Sequence, residues 1–178
     1  EEVVRRADGL VVTVGRGEVS PEAMMDGTML VPVDFSEHRF RLLSHARELA
    51  PVYGLDIRVL HVVEVKSSPD VYGGYDSPPD ADELADRARE ALDGDVQPLR
   101  DAGLDVSVEI RAGHPAEEIL TTAEDTEAAF LAIATHGRTG LERMLMGSVA
   151  EKVIRQAPCP VCTVKSFGRS LVDEHEGR

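Results

Sequence analysis

Short apolar runs alternate along this chain with longer stretches whose apolar residues recur every third or fourth position. Met29-Leu-Val-Pro-Val-Asp34 is continuous, apolar and ends on a carboxylate, the pattern of a strand buried on both faces. From Ser36 to about Tyr53, Phe40, Leu43, Ala46 and Ala50 mark one helical face, with Pro51 in the last turn and Gly54 closing it. Ile57 to Val65 is a second strand rich in β-branched residues. Ala81 to Ala102 predicts a long amphipathic helix stopped by Gly103, its second half weakened by Gly94 and Pro98. A strand over Val106–Ile110, a helix over Pro115–Ala123 and a strand over Ala128–Ala134 follow, then a helix over Ser148–Gln156 and a strand over Val161–Val164. Strands joined by helical crossovers predict an α/β domain: an open parallel five-stranded sheet with helices on both faces.

Two segments fall outside that rhythm. Residues 66–80 form a loop by composition, with Tyr72 and Tyr75 in it as a candidate lid or a plain connection. Residues 1–28 read as an N-terminal extension. Within it Leu10-Val-Val-Thr-Val14 has the makings of a short strand, and Ser20-Pro21-Glu22 those of a helix start.

Charge narrows the partners. The chain carries 19 basic against 33 acidic residues, a net charge of −14, the wrong sign for electrostatic binding of nucleic acid. Aromatic residues are 4% of the chain, too few for a base-stacking surface. No window approaches the roughly 18 apolar residues of a spanning helix, and the charged N-terminus lacks the apolar segment of a signal peptide. The expectation is a cytoplasmic protein bound neither to membrane nor to nucleic acid.

The chemistry concentrates in Ala134-Thr-His-Gly137-Arg-Thr-Gly140-Leu-Glu-Arg-Met-Leu-Met-Gly147-Ser148. This stretch leaves a strand and enters a helix through glycines, which admit an anion close to the backbone. The unpaired N–H groups and dipole of the helix then attract phosphate. Ser148 is placed to cap that helix, with Glu151 completing a capping box. An ordinary capped helix behind a loop has the same appearance.

The segment resembles the signature of the universal stress protein family, Gly-x2-Gly-x9-Gly-Ser/Thr. Gly137, nine residues and Gly147-Ser148 match its second half; Ala134 stands where the first glycine belongs and adds one methyl. Val31-Pro-Val-Asp34-Phe-Ser-Glu37, Leu60-His-Val-Val63, Gly113-His-Pro-Ala-Glu-Glu-Ile119 and Ala157-Pro-Cys-Pro-Val161 are similar to four further family motifs, in order. The resemblance implies a domain over 29–166 followed by a polar tail, 167–178. Its implied fold is flavodoxin- or Rossmann-like (adenine nucleotide alpha hydrolase-like), with strand order 3-2-1-4-5. It also implies an ATP site lined by Pro32, Val33, Asp34, Val62, Ala134, His136, Gly137, Arg138, Gly147, Ser148 and Val149. There Asp34 would accept from ribose or adenine, and the backbone of Val62 would meet the adenine edge. Gly137, Arg138, Gly147, Ser148 and Val149 would surround the phosphates, with Arg138 supplying positive charge to a phosphate and Ser148 a hydroxyl to phosphate or Mg2+. His136 has no evident catalytic partner and reads as a structural or ligand-packing residue. The implied role is regulation in a stress response, with ATP hydrolysis slow at most. The family also implies a homodimer through Val161, Cys162, Thr163 and Val164. A non-nucleotide homodimeric scaffold and a sensor module of a larger chain are the alternatives.

Other nucleotide and phosphate folds fail on their residues. There is no Gly-x4-Gly-Lys-Ser/Thr, no glycine in Asp34-Phe-Ser-Glu37 for a dinucleotide fingerprint, and Arg111 stands where a receiver domain needs its phosphoacceptor Asp. Cys159-Pro-Val-Cys162 enters a strand rather than opening a helix, so its thiols are expected on opposite faces as core residues.

Overall fold

The apolar runs become neighbouring strands of one sheet in the computed structural model, which describes residues 10–14, 25–64, 81–135 and 146–165. In chain order the elements are β1 (Val11–Thr13), β2 (Thr28–Pro32), α1 (His38–Tyr53), β3 (Asp56–Val63), α2 (Ala81–Asp101), β4 (Val106–Ala112), α3 (Pro115–Asp125), β5 (Phe130–Ala134), α4 (Ser148–Gln156) and β6 (Val161–Val164). The sheet has six strands in the order β1-β6-β5-β2-β3-β4. Five parallel strands in the order 3-2-1-4-5 were expected, and the difference is β1. It pairs antiparallel with β6 and so makes the sheet mixed, while the pairs β2–β3, β2–β5, β3–β4 and β5–β6 are parallel.

Alternation along each strand divides the core into two layers. Met29, Val31 and Val33 face one way, with Phe130 and Ala132, against Leu42, Leu43, Ala46 and Ala50 of α1 and Leu92, Val96 and Leu99 of α2. Leu30, Leu131 and Ile133 face the other way, against Ala116, Ile119 and Ala123 of α3 and Ala150 and Val153 of α4. Burial on both sides is why β2, β5 and β6 read as nearly unbroken apolar runs, whereas the edge strand β4 is half-exposed and alternates. The helix α2 runs through both Gly94 and Pro98. Pro98 removes only the N–H that would bond the carbonyl of Gly94, and Leu92, Val96 and Leu99 hold that half to the sheet. The first helix begins at His38 rather than at Ser36, and β4 extends two residues past Ile110.

Cys159 packs in the α3–α4 layer and Cys162 in the α1–α2 layer, so the two thiols sit on opposite faces. Burial pushes their pKa values up to about 11 and about 12, which makes both poor nucleophiles at neutral pH.

Candidate functional site

In an open parallel sheet the two strands that leave a common neighbour in opposite directions open a crevice at their carboxyl ends. Here β2 lies between β3 and β5, so the crevice falls between β2 and β5. Asp34 follows β2 and Thr135 follows β5, which puts both at that edge.

The turn after β2 is braced from three directions. Within it, Asp34 Oδ1 accepts the backbone N–H of Ser36 at 3.1 Å and also the Ser36 hydroxyl. From α1, the Arg39 guanidinium donates to the carbonyls of Phe35 and Ser36 at 3.3 and 3.0 Å, and its Nε meets Asp95 of α2 at 2.7 Å. From β3, the Nδ1 of buried His61 lies 2.9 Å from the Val33 carbonyl, and its ring centroid is 4.6 Å from that of Phe35. Val33 in turn donates its N–H to Leu60 at 2.8 Å. Ser36 is thus occupied in the turn and does not begin the helix; Glu37 stands at the N-cap instead. Pro32 and Val33 are buried and Asp34 is half-buried, a carboxylate held in a fixed position at the rim.

The other wall comes from β5 and α4. Thr135 is buried; its N–H donates to Val164 at 3.0 Å and its carbonyl accepts the N–H of Gly147 at 2.9 Å. Gly147, not Ser148, is the N-cap of α4, in an extended conformation (φ −62°, ψ 144°). Ser148 is therefore the first helical residue and is exposed, Glu151 lies one position too far on for a capping box, and no side-chain cap bond forms among the described residues. The helix N–H groups without intrahelical acceptors are those of Ser148, Val149 and Ala150. Gly147 contributes space rather than a donor, since its own N–H is spent on Thr135.

Val62 and Ala134 are half-buried at the ends of β3 and β5, and Val149 packs against the α3–α4 layer. The structure thus gathers Pro32, Val33, Asp34, Val62, Ala134, Gly147, Ser148 and Val149 along the carboxyl edges of β2, β3 and β5. His136, Gly137 and Arg138 lie outside the described residues, as does the candidate lid of 66–80. Ser36, Arg39, His61 and Thr135 also brace this edge, although none is among the residues expected to line the nucleotide site. The Asp-x-Ser spacing of an Asx turn was a usable signal for the first.

Arg111, near the carboxyl end of β4, is committed to structure. It bonds Glu109 at 2.7 Å and Asp125 at 3.1 Å, while Arg58 reaches Glu109 at 2.9 Å. Burial alone would raise the Glu109 pKa, but the hydrogen bonds and charges of the two arginines overcome it and hold the carboxyl below its ordinary value.

A model of the Universal stress protein family matches residues 25–165. The chain belongs to the universal stress protein family. It is 32% identical to Universal stress protein MJ0531 of Methanocaldococcus jannaschii over 137 residues, covering 77% of this chain and 81% of that one. Protein MJ0577 of the same organism is 29% identical over 157 residues, covering 80% and 97%. The solved structure of MJ0577 superposes with a TM-score of 0.66 over 82% of this chain and 99% of that one. The universal stress protein of Archaeoglobus fulgidus in complex with dAMP is 26% identical, with a TM-score of 0.58 over 79% and 99%. The family match runs from the residues before β2 to the residue after β6, and so spans both walls of the crevice.

Proposed function

We propose that this protein binds an adenine nucleotide, ATP with Mg2+ in its working form, in the crevice between β2 and β5, and acts as a cytoplasmic regulatory protein. The working unit is residues 29–166, with 1–28 an extension and 167–178 a tail. The observation that carries the reading is the N-terminus of α4. Gly147 takes a backbone conformation open to any residue, and among the described residues a Cβ there would meet only the Thr135 carbonyl, at 3.5 Å. Packing therefore leaves room for a side chain, and glycine at this point keeps clear the approach to three helix N–H donors, the requirement of a phosphate site. Asp34 on the neighbouring strand supplies an acceptor for a ribose hydroxyl. The dAMP complex of the Archaeoglobus fulgidus relative supports the class of ligand.

Ser148, Val149 and Ala150 would orient phosphate oxygens through their N–H groups, and the exposed Ser148 hydroxyl adds a further donor. No cluster of three or more metal-binding side chains forms among the described residues. The metal would thus come with the triphosphate, and its two positive charges offset part of the phosphate charge that a chain of −14 would repel. The Ser36 hydroxyl that pairs with the Asp34 carboxylate is spent on holding the turn, which favours a bound-state signal over rapid turnover. No described helix is long and apolar enough to cross a membrane.

Calorimetric titration with Mg-ATP tests the reading. Binding that is lost in Gly147→Val and Asp34→Ala supports it. A wild-type protein that ignores millimolar ATP, AMP and dAMP would remove it and leave a scaffold acting through its surfaces.

A further inference from the structure

The expected dimer edge is already taken. One edge of β6 pairs with β5, and the other pairs with β1 of the same chain, in the register Val11↔Thr163, Val12↔Cys162 and Thr13↔Val161. The two paired segments are near copies: Val11-Val-Thr-Val14 and Val161-Cys-Thr-Val164 differ only at their second residue. Their side-chain bonds repeat as well. Thr13 Oγ1 donates to the Val161 carbonyl at 3.2 Å, and Thr163 Oγ1 donates to the Val11 carbonyl at 3.1 Å.

These facts together define a local two-fold. Putting Val161, Cys162 and Thr163 of a second copy where Val11, Val12 and Thr13 lie turns the observed register into Val161↔Thr163, Cys162↔Cys162 and Thr163↔Val161. That is a self-complementary antiparallel pairing centred on Cys162, with both threonine bonds retained, the form a symmetric interface requires. The geometry points to β1 being a built-in copy of β6 that covers in cis the edge on which a second copy of this chain would otherwise dock. One strand edge has one set of N–H and C=O groups, so the two occupants exclude each other. The cis strand is tethered to β2 through residues 14–27, so its effective concentration is high. Two chains of −14 each also repel at low salt. The covered, monomeric form is therefore the resting state, and whatever withdraws β1 converts the chain to a dimer. Val12 is 40% exposed, and Leu10 is the residue of this segment that packs against the core, so withdrawing the strand leaves the two main helix–sheet layers in place.

The test uses the full chain in the ultracentrifuge. Along a strand the N–H groups alternate in direction, so one of two consecutive residues must face β6. The double variant Val11→Pro/Val12→Pro thus removes at least one ladder donor without touching β6. The wild type is expected as a monomer and the double variant at twice the mass. A disulfide oxidant should then link the variant dimer through Cys162, a link lost in Cys162→Ala. In Val12→Cys the new thiol lies opposite Cys162 at a spacing that antiparallel pairs and disulfides share. Oxidation should close the bond within one chain and keep the protein monomeric. A double variant that stays monomeric, a wild type already dimeric through Cys162, a dimer with no Cys162 link, or a Val12→Cys bond formed between chains would each overturn the cis cover.

Discussion

The backbone N–H of Gly147 donates to the Thr135 carbonyl at 2.9 Å, tying the start of α4 to the end of β5 beside the crevice. That bond holds the helix N-terminus in place whatever side chain residue 147 carries, because its φ of −62° is available to every residue. A Cβ at 3.5 Å from the same carbonyl is in ordinary contact. Gly147→Val is thus expected to fold with a stability change of about 1 kcal/mol, since valine is a poorer N-cap than glycine. Affinity for ATP should fall at least about tenfold, because the branched side chain would crowd the proposed phosphate approach. Thermal unfolding and calorimetry together check this; a variant that binds as well as wild type would remove the phosphate site from α4.

The Asp34–Ser36 turn separates a ligand role from a positioning role. Ser36→Ala removes the hydroxyl that meets Asp34 Oδ1 but keeps the Ser36 N–H bond, at a cost of about 1 kcal/mol in stability. Asp34→Ala removes the acceptor itself. ATP binding should weaken by only a few-fold in Ser36→Ala and by more than about tenfold in Asp34→Ala. Equal losses in the two titrations would mean that Asp34 acts only by shaping the turn.

How far the fold could be read in advance follows from where each signal lies. The central parallel strands were legible because burial on both faces leaves continuous runs such as Leu30-Val31 and Leu131-Ala132-Ile133, and the edge strand β4 because its residues alternate. The rim carboxylate was legible because the first run ends at Asp34. The location of β1 was not, since its three residues reveal nothing of a partner some 150 positions away. The cap of α4 was misassigned because Ser148 has the stronger capping chemistry, while the Thr135 bond selects Gly147. His61 and Arg39 escaped notice for a similar reason: their partners, Val33 and Asp95, are distant in sequence.

Gly54 and Gly94 should respond to alanine with opposite signs. Gly54 ends α1 at φ 67°, donating to Ala50, and a Cβ there would come within 2.7 Å of Asp26 Oδ1. Gly54→Ala should cost at least about 1–2 kcal/mol, a fall of roughly 2–8 °C in Tm for a chain of this length. Gly94 lies inside α2 with nothing among the described residues within 4 Å of a Cβ. Gly94→Ala should stabilise by about 0.5–1 kcal/mol by restricting the unfolded chain. Scanning calorimetry on both variants checks the pair, and a stabilising Gly54→Ala would contradict the left-handed helix end.

Glu109 should make stability depend on pH in a known direction. It bonds Arg111 at 2.7 Å and Arg58 at 2.9 Å, and its folded-state pKa lies below the ordinary value near 4.5. The folded state thus favours the ionised carboxylate. Its contribution is fully present above the unfolded-state pKa and is lost as pH falls through the lower, folded-state value. Both arginines keep their charge across that range, so the loss belongs to the carboxylate alone. Because the group is largely solvent-screened, the expected size is about 0.5–1 kcal/mol. Glu109→Gln should be less stable than wild type by that amount in urea titrations at pH 7, with the gap closing toward pH 3. A gap of the same size at both pH values would assign the stabilisation to hydrogen bonding that glutamine had failed to reproduce, not to the charge on Glu109.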